Sequence, residues 1–310
     1  MSTPAPPPRP RTLRDVLDSR MRRALPRSTY QATVRRYHAL RTAAGRGRGR
    51  GRALPEFVII GAAKAGTTSL YGWLSDHPAV SPASRKEVHY FDYSYYRGED
   101  WYRAHFPLER TLAARSAELG VRCMTGEASP TYISHAWAPQ RLAQMLPDAK
   151  LLVALRDPVE RAYSQFQMSR REGEEPLESF AEAVAAEDGR LRGESERMRA
   201  DPRYNSWPIG CWSYAMRSRY AEQLERWFEL FPRERFHFVT LEGLAADPQH
   251  ALDGVLAFLG LPAHRYADLR PLHTAEYAPL APEARASVAA YFRPHNERLY
   301  ELLGVDFGWS

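Results

Sequence analysis

A chain of 310 residues with 44% hydrophobic content is long enough to bury one large α/β core or two small ones. Its two cysteines, Cys123 and Cys211, are too few for a disulfide framework, and no stretch approaches the roughly 18 apolar residues of a membrane span, so a soluble, cytoplasmic protein is expected. The net charge of +6 is unevenly held: residues 1–54 carry fourteen arginines and no lysine against Asp15 and Asp18, whereas the remainder has 29 bases and 35 acids.

Residues 1–54 therefore read as a basic arm. Its Pro-rich head, STPAPPPRPR, has too little apolar content to pack. In TLRDVLDSRMRRAL, residues Leu13, Val16, Leu17, Met21 and Leu25 recur near helical spacing behind Thr12, which predicts a short amphipathic helix. The run GRGRGRGR, residues 45–52, combines backbone freedom with like-charge repulsion and predicts a solvated linker, with a domain boundary near Leu54. The arm is either a solvated extension or a weak contact for an anionic membrane surface, and no nucleic-acid partner is expected.

From residue 55 to 310 the pattern predicts one α/β domain with a central parallel sheet flanked by helices. FVIIGA, KLLVALRD and RFHFVTLEGL are short runs rich in β-branched or aromatic residues, each followed by turn chemistry and a helical stretch. Helices are predicted at 67–75, 137–146, 158–171, 176–187, 213–230, 248–259 and 282–303, and the aromatic stretch 90–107 as irregular.

The segment Gly61-Ala62-Ala63-Lys64-Ala65-Gly66-Thr67-Thr68 joins the first strand to the first helix, where backbone amides and the helix dipole converge on an anion. A nucleoside-triphosphatase loop would place its lysine beside the second glycine, with a hydroxyl on Mg²⁺ and an Asp closing a later strand. Here Lys64 comes early, and the strand Leu151–Leu155 leads into Arg156-Asp157-Pro158. That argues against the rival reading, a kinase or triphosphatase. Arg156 with Ser164 eight residues on offers a planar fork and a hydroxyl for a second phosphate, although Arg156 alone could equally form an ion pair with Asp157 or Glu160.

GAAKAGTTSLYGWLSDHP, KEVHYFD, LRDPVERAYS and the tail YFRPHNERLYELLGVDFGW together resemble the sulfotransferases that use 3′-phosphoadenosine-5′-phosphosulfate (PAPS), in particular the heparan sulfate 3-O-sulfotransferases of the carbohydrate branch. The resemblance runs in order from about residue 56 to the C-terminus. It implies a P-loop-containing nucleotide hydrolase-like fold, PAPS as donor, 3′-phosphoadenosine-5′-phosphate (PAP) as product, and no metal. Lys64, Ala65, Gly66, Thr67, Thr68 and Ser69 would hold the 5′-phosphosulfate, Arg156 and Ser164 the 3′-phosphate, and Tyr214 would lie near the adenosine. The composition, rich in Ala, Arg, Gly and Pro, points to a GC-rich, bacterial genome.

On the acceptor side, Glu87 and His89 share a face if the stretch is extended, and either could take a proton, Glu87 only if its pKa is raised. The resemblance favours Glu87 as base, with His89 as positioning residue or alternative base and Lys86 near the acceptor. Two departures bear on the acceptor: Ala128 stands where the heparan sulfate enzymes have a lysine, and their cysteine-closed loop is replaced by residues 266–283, leaving Arg270, His273 and Thr274 as contacts. The expected acceptor is a hydroxyl, less readily an amine, of a carbohydrate, glycolipid or secondary metabolite. The rival from another class is a non-catalytic protein that binds anionic surfaces through its arm.

Overall fold

Phe57–Gly61, strand β1, is buried at every position, the pattern of a strand covered on both faces. In the computed structural model, which describes residues 49–272 and 277–309, β1 lies amid β2 (Val80–Pro82), β3 (Met124–Ala128), β4 (Lys150–Leu155) and β5 (Phe236–Thr240). These make one five-stranded sheet in the order β2-β3-β1-β4-β5. All pairings are parallel, with Val58 opposite Glu127 on one side and Leu151 on the other. The chain passes from β1 to the edge strand β2, returns through β3 beside β1, and then crosses to β4 and β5 on the other side. Connections thus lie on both sides of β1, and the crevice beyond its C-terminal end is where an open α/β sheet takes a ligand.

Two of these strands escape the apolar-run criterion. β2 has three residues, and β3, MTGEA, carries Thr125, Gly126 and Glu127 in a wholly buried run. Gly126 is required there because a Cβ would sit 2.3 Å from the Phe57 ring.

The helices follow in chain order: α1 (Thr67–Asp76), α2 (Glu99–Arg103), α3 (Glu109–Leu119), α4 (Ala138–Met145), α5 (Pro158–Arg171), α6 (Phe180–Arg190), α7 (Glu194–Ala200), α8 (Trp207–Trp212), α9 (Tyr220–Phe228), α10 (Leu241–Ala246), α11 (Pro248–Leu259) and α12 (Pro282–Leu303). The start of α5 is encoded locally. Asp157 accepts from the amides of Val159 and Glu160, and Pro158 occupies the first helical position, where its missing N–H costs nothing. Among the described residues no helix is long and apolar enough to cross a membrane.

Several expectations are corrected. The helix expected over 213–230 is interrupted: a 3₁₀ turn at Met216–Ser218 precedes α9, where the Ser218 amide donates to the Ala215 carbonyl and the Tyr214 carbonyl is taken by the Arg161 guanidinium. The helix expected from 176 starts at Phe180, capped by Ser179. The LEGL end of the third expected strand is helix α10, whose first turn Thr240 caps. The stretch 90–107 is irregular through a π turn and a 3₁₀ turn and then enters α2.

The boundary also moves. The chain divides into Met1–Arg48 and Gly49–Ser310. Ala53 lies in the main core, Arg52 bridges to Leu108, and Arg103 Nη1 donates to the Arg52 carbonyl at 2.8 Å, so the end of the expected linker belongs to the larger unit. The expected amphipathic helix lies outside the described residues.

Candidate active site

The chain leaves β1 at Gly61 and turns through residues 62–66 into α1. Gly66 has φ +82°, a conformation that side-chain-bearing residues rarely adopt, so the backbone turn demands glycine. Lys64 adopts φ 75°, a left-handed conformation that costs a non-glycine residue about 1 kcal/mol. Its Nζ rests 3.7 Å from Met168 Sδ of α5. Burial pushes the Lys64 ammonium below its ordinary pKa, and the positive charges of Arg171 and Arg156 push the same way. A strained, half-buried lysine among arginines is stabilised by an anion, and the loop supplies the shape for one.

Arg156, at the end of β4, donates to the Lys64 carbonyl at 3.4 Å, so the two expected anion sites adjoin. It also pairs with Glu160 at 3.4 Å, and Arg285 of α12 contacts both Glu160 and Asp157. The ion pair and the phosphate fork thus coexist as readings of Arg156. Ser164 is buried two turns further along α5. Arg161, wholly buried, ties this helix to the loop: it donates to Ser218 Oγ at 2.5 Å, to the Tyr214 carbonyl at 2.6 Å and to the Ala63 carbonyl at 3.4 Å. Ser69 accepts from the Leu272 amide at 3.0 Å, which seats the segment before residue 273 on the start of α1.

Tyr214 is a correction. Its ring is wholly buried in a second apolar cluster with Phe166 and Phe180, and its phenol donates to Glu175 at 2.8 Å, so the side chain is spent on packing and on that bond. Arg270 is exposed and clasped by Asp268 at 2.6 Å. His273 and Thr274 lie outside the described residues.

The acceptor candidates do converge. Glu87 Oε2 lies 2.9 Å from His89 Nε2, and His89 Nδ1 lies 2.8 Å from Asp92 Oδ2. Thr131 donates to the same Asp92 oxygen. Lys86 Nζ donates to Thr68 Oγ1 at 3.1 Å and to Glu87 Oε1 at 3.3 Å, joining this cluster to the phosphate loop. His89 has φ 57°, the second strained non-glycine residue of the site.

Electrostatics separates the two bases. Burial disfavours charge on His89, but Asp92 and Glu87 outweigh it and raise its pKa to about 10, so the imidazole is a held cation. Burial likewise disfavours charge on Glu87, yet His89 and Lys86 outweigh it and lower its pKa. The expectation of a raised Glu87 pKa is therefore reversed: its neighbours keep it ionised and weaken its hold on a proton.

Beneath the cluster, Glu127 of β3 is wholly buried and accepts from Tyr102 at 2.8 Å, Tyr132 at 3.0 Å and Ser129 at 2.7 Å. Ser129 in turn accepts from the His89 amide at 3.0 Å, and Tyr132 from the Tyr90 amide at 2.8 Å. Among the described residues no group of three or more His, Cys, Asp or Glu could hold a metal ion.

Residues 54–275 match the sulfotransferase domain family. The chain belongs to that family, and it is a sulfuryl-transferring enzyme. It is 28% identical to the membrane-associated sulfotransferase kil1 of Dictyostelium discoideum, over 83% of this chain and 67% of that one. It is 33% identical to heparan sulfate glucosamine 3-O-sulfotransferase 6 of Mus musculus, over 84% and 75%. A solved sulfotransferase from Alicyclobacillus acidocaldarius superposes with a TM-score of 0.61 at 30% identity, covering 82% of this sulfotransferase and 98% of that chain.

Sequence reasoning missed Asp92, Thr131, Glu127 and Arg161. Asp92 had a local signal, standing three residues after His89. The others reach the site only through the sheet order and the packing of α5.

Proposed function

We propose that this sulfotransferase takes PAPS as donor and the hydroxyl of a carbohydrate as acceptor, with Glu87 as the base. The observation that carries the reading is the Lys86 bridge: one ammonium contacts Thr68 of the phosphate loop and Glu87 of the acceptor cluster, so donor anion and attacking hydroxyl meet across a few ångströms. The donor fits the residues present, since Lys64 and Arg156 are cations beside a glycine-lined turn. When bound, PAPS supplies the sulfuryl group and a phosphate leaving group. Carbohydrate acceptors rest on the 3-O-sulfotransferase relatives.

Lys64 and the first amides of α1 neutralise charge on the departing 5′-phosphate, and Arg156 and Ser164 hold the 3′-phosphate. Glu87 takes the hydroxyl proton as the acceptor oxygen bonds to sulfur and the sulfur–phosphate oxygen bond breaks, so the proton ends on Glu87 and the charge on phosphate. His89 fixes the Glu87 carboxylate, and Asp92 with Thr131 fixes His89. Lys86 is placed to meet the sulfuryl oxygens in flight.

The test is calorimetric titration of the full chain with PAP, without Mg²⁺, beside ATP with Mg²⁺. Tight metal-free binding of PAP that falls at least tenfold in Arg156→Ala is expected. Preference for ATP with Mg²⁺, or indifference to Arg156, would overturn the donor assignment.

A further inference from the structure

Arg285 stands on α12, beyond the residues that match the family, and packing fixes its place. Val288 and Phe292 of the same helix are buried in the second apolar cluster with Val159, Ala162 and Tyr163 of α5, and the Tyr163 hydroxyl donates to the Ala278 carbonyl at 2.9 Å just ahead of α12. Residues 285, 288 and 292 recur at helical spacing, so the face that packs on α5 also carries the Arg285 guanidinium to the first turn of that helix. There it spans two carboxylates. Nη1 donates to Glu160 Oε1 at 2.5 Å and Nη2 to Asp157 Oδ2 at 2.9 Å.

Arg156 reaches the other Glu160 oxygen at only 3.4 Å, so the carboxylate is shared unequally and Arg285 has the firmer hold. Glu242 adds a third acid at this corner, where its Oε1 accepts from the Asp157 amide at 3.1 Å. Asp157 is committed as the cap of α5. Glu160 is not, and it stands four residues after Arg156, the spacing at which an Arg and a Glu on one helical face close on each other. Arg285 is the cation that opposes this closure.

We propose that Arg285 is a positioning residue for the donor: it draws Glu160 away from the Arg156 fork and so leaves that fork open to the 3′-phosphate. The proposal rests on the 3′-phosphate reading of Arg156 and Ser164 and adds the residue that sets the strength of that contact. Arg285 acts through Glu160 and needs no bond to the nucleotide. Its influence is therefore confined to nucleotides that carry a 3′-phosphate, since the 5′ end is met by the loop around Lys64.

The test titrates PAP and adenosine 5′-phosphate, which lacks the 3′-phosphate, into the full chain and into Arg285→Gln, Glu160→Gln and the double variant. The unaltered chain should prefer PAP tenfold or more. Arg285→Gln should weaken PAP by threefold or more, about the size of one partly exposed ion pair, and leave adenosine 5′-phosphate within twofold, which also reports that the variant folds. Glu160→Gln alone should bind PAP at least as tightly as the unaltered chain, and the double variant should match it within twofold, because with no carboxylate to restrain Arg285 has no further task. Arg285→Gln that leaves PAP unchanged, weakens both nucleotides alike, or stays weak in the double variant would overturn the inference, the last by making Arg285 a direct phosphate contact. Weaker PAP binding by Glu160→Gln would overturn it too. An unaltered chain that binds PAP no better than adenosine 5′-phosphate would sink the 3′-phosphate assignment itself, and the inference with it.

Discussion

His89 sits between two carboxylates, and that one placement sets the charge of both His89 and Glu87. Because its pKa is raised from 6.5 to about 10, its contribution to folding stability is complete below pH 6.5 and is lost as the pH climbs through 10. Glu87, with its pKa lowered, stays ionised at neutrality. The rate should therefore be flat from about pH 6 to 8.5 and fall only on acidification through the carboxylate range, and Glu87→Gln should lower kcat by about 10²–10⁴-fold. A rate that rises with pH toward 10 would make His89 the base after all. The pairing of Glu87 with His89 was expected in KEVHYFD from an extended stretch, whereas the structure brings the two together through a left-handed turn at His89. The sign of the Glu87 shift was not legible, because it depends on His89 and Lys86 closing on the carboxylate strongly enough to outweigh its burial, contacts that pattern alone does not measure.

At the scale of elements, β3 is the least legible strand and the one that aims the site. Its Glu127 anchors the His89 and Tyr90 amides through Ser129 and Tyr132, so the strained turn at His89 is held from below. Glu127→Ala should cost about 2–3 kcal/mol, read from the denaturant midpoint, by stripping three hydroxyls of their acceptor. Burial raises the Glu127 pKa to about 7, so the folded chain holds this proton more tightly than the unfolded one. Stability should decline as pH rises from about 4.5 to 7, and Glu127→Gln should flatten that slope; an unchanged slope would remove Glu127 as its source. Strands β1 and β4 were readable as apolar runs because both their faces are covered. β3 was not, since its buried run holds Thr125, Gly126 and Glu127, with the Phe57 ring against Gly126 and two phenols donating to Glu127.

For the whole molecule, the division of charge between arm and body was legible from counting, but the physical boundary was not. Composition placed it at residue 54, whereas Ala53 and Arg52 are built into the core edge by the 103–108 segment. A chain lacking residues 1–48 should keep its melting temperature within about 2 °C and its PAP affinity, whereas one lacking residues 1–54 should melt several degrees lower. Equal melting of the two would return the boundary to Leu54. The other end carries a different lesson. The family match stops at residue 275, yet Arg285, beyond it on α12, shares Glu160 with Arg156. Glu160 thereby occupies the very guanidinium that the proposed 3′-phosphate would claim. Nucleotide capture on this reading is an exchange of one anion for another, with a tethered competitor waiting to reclaim its place. A catalyst that must shed spent nucleotide at every cycle gains by never being left with a bare charge.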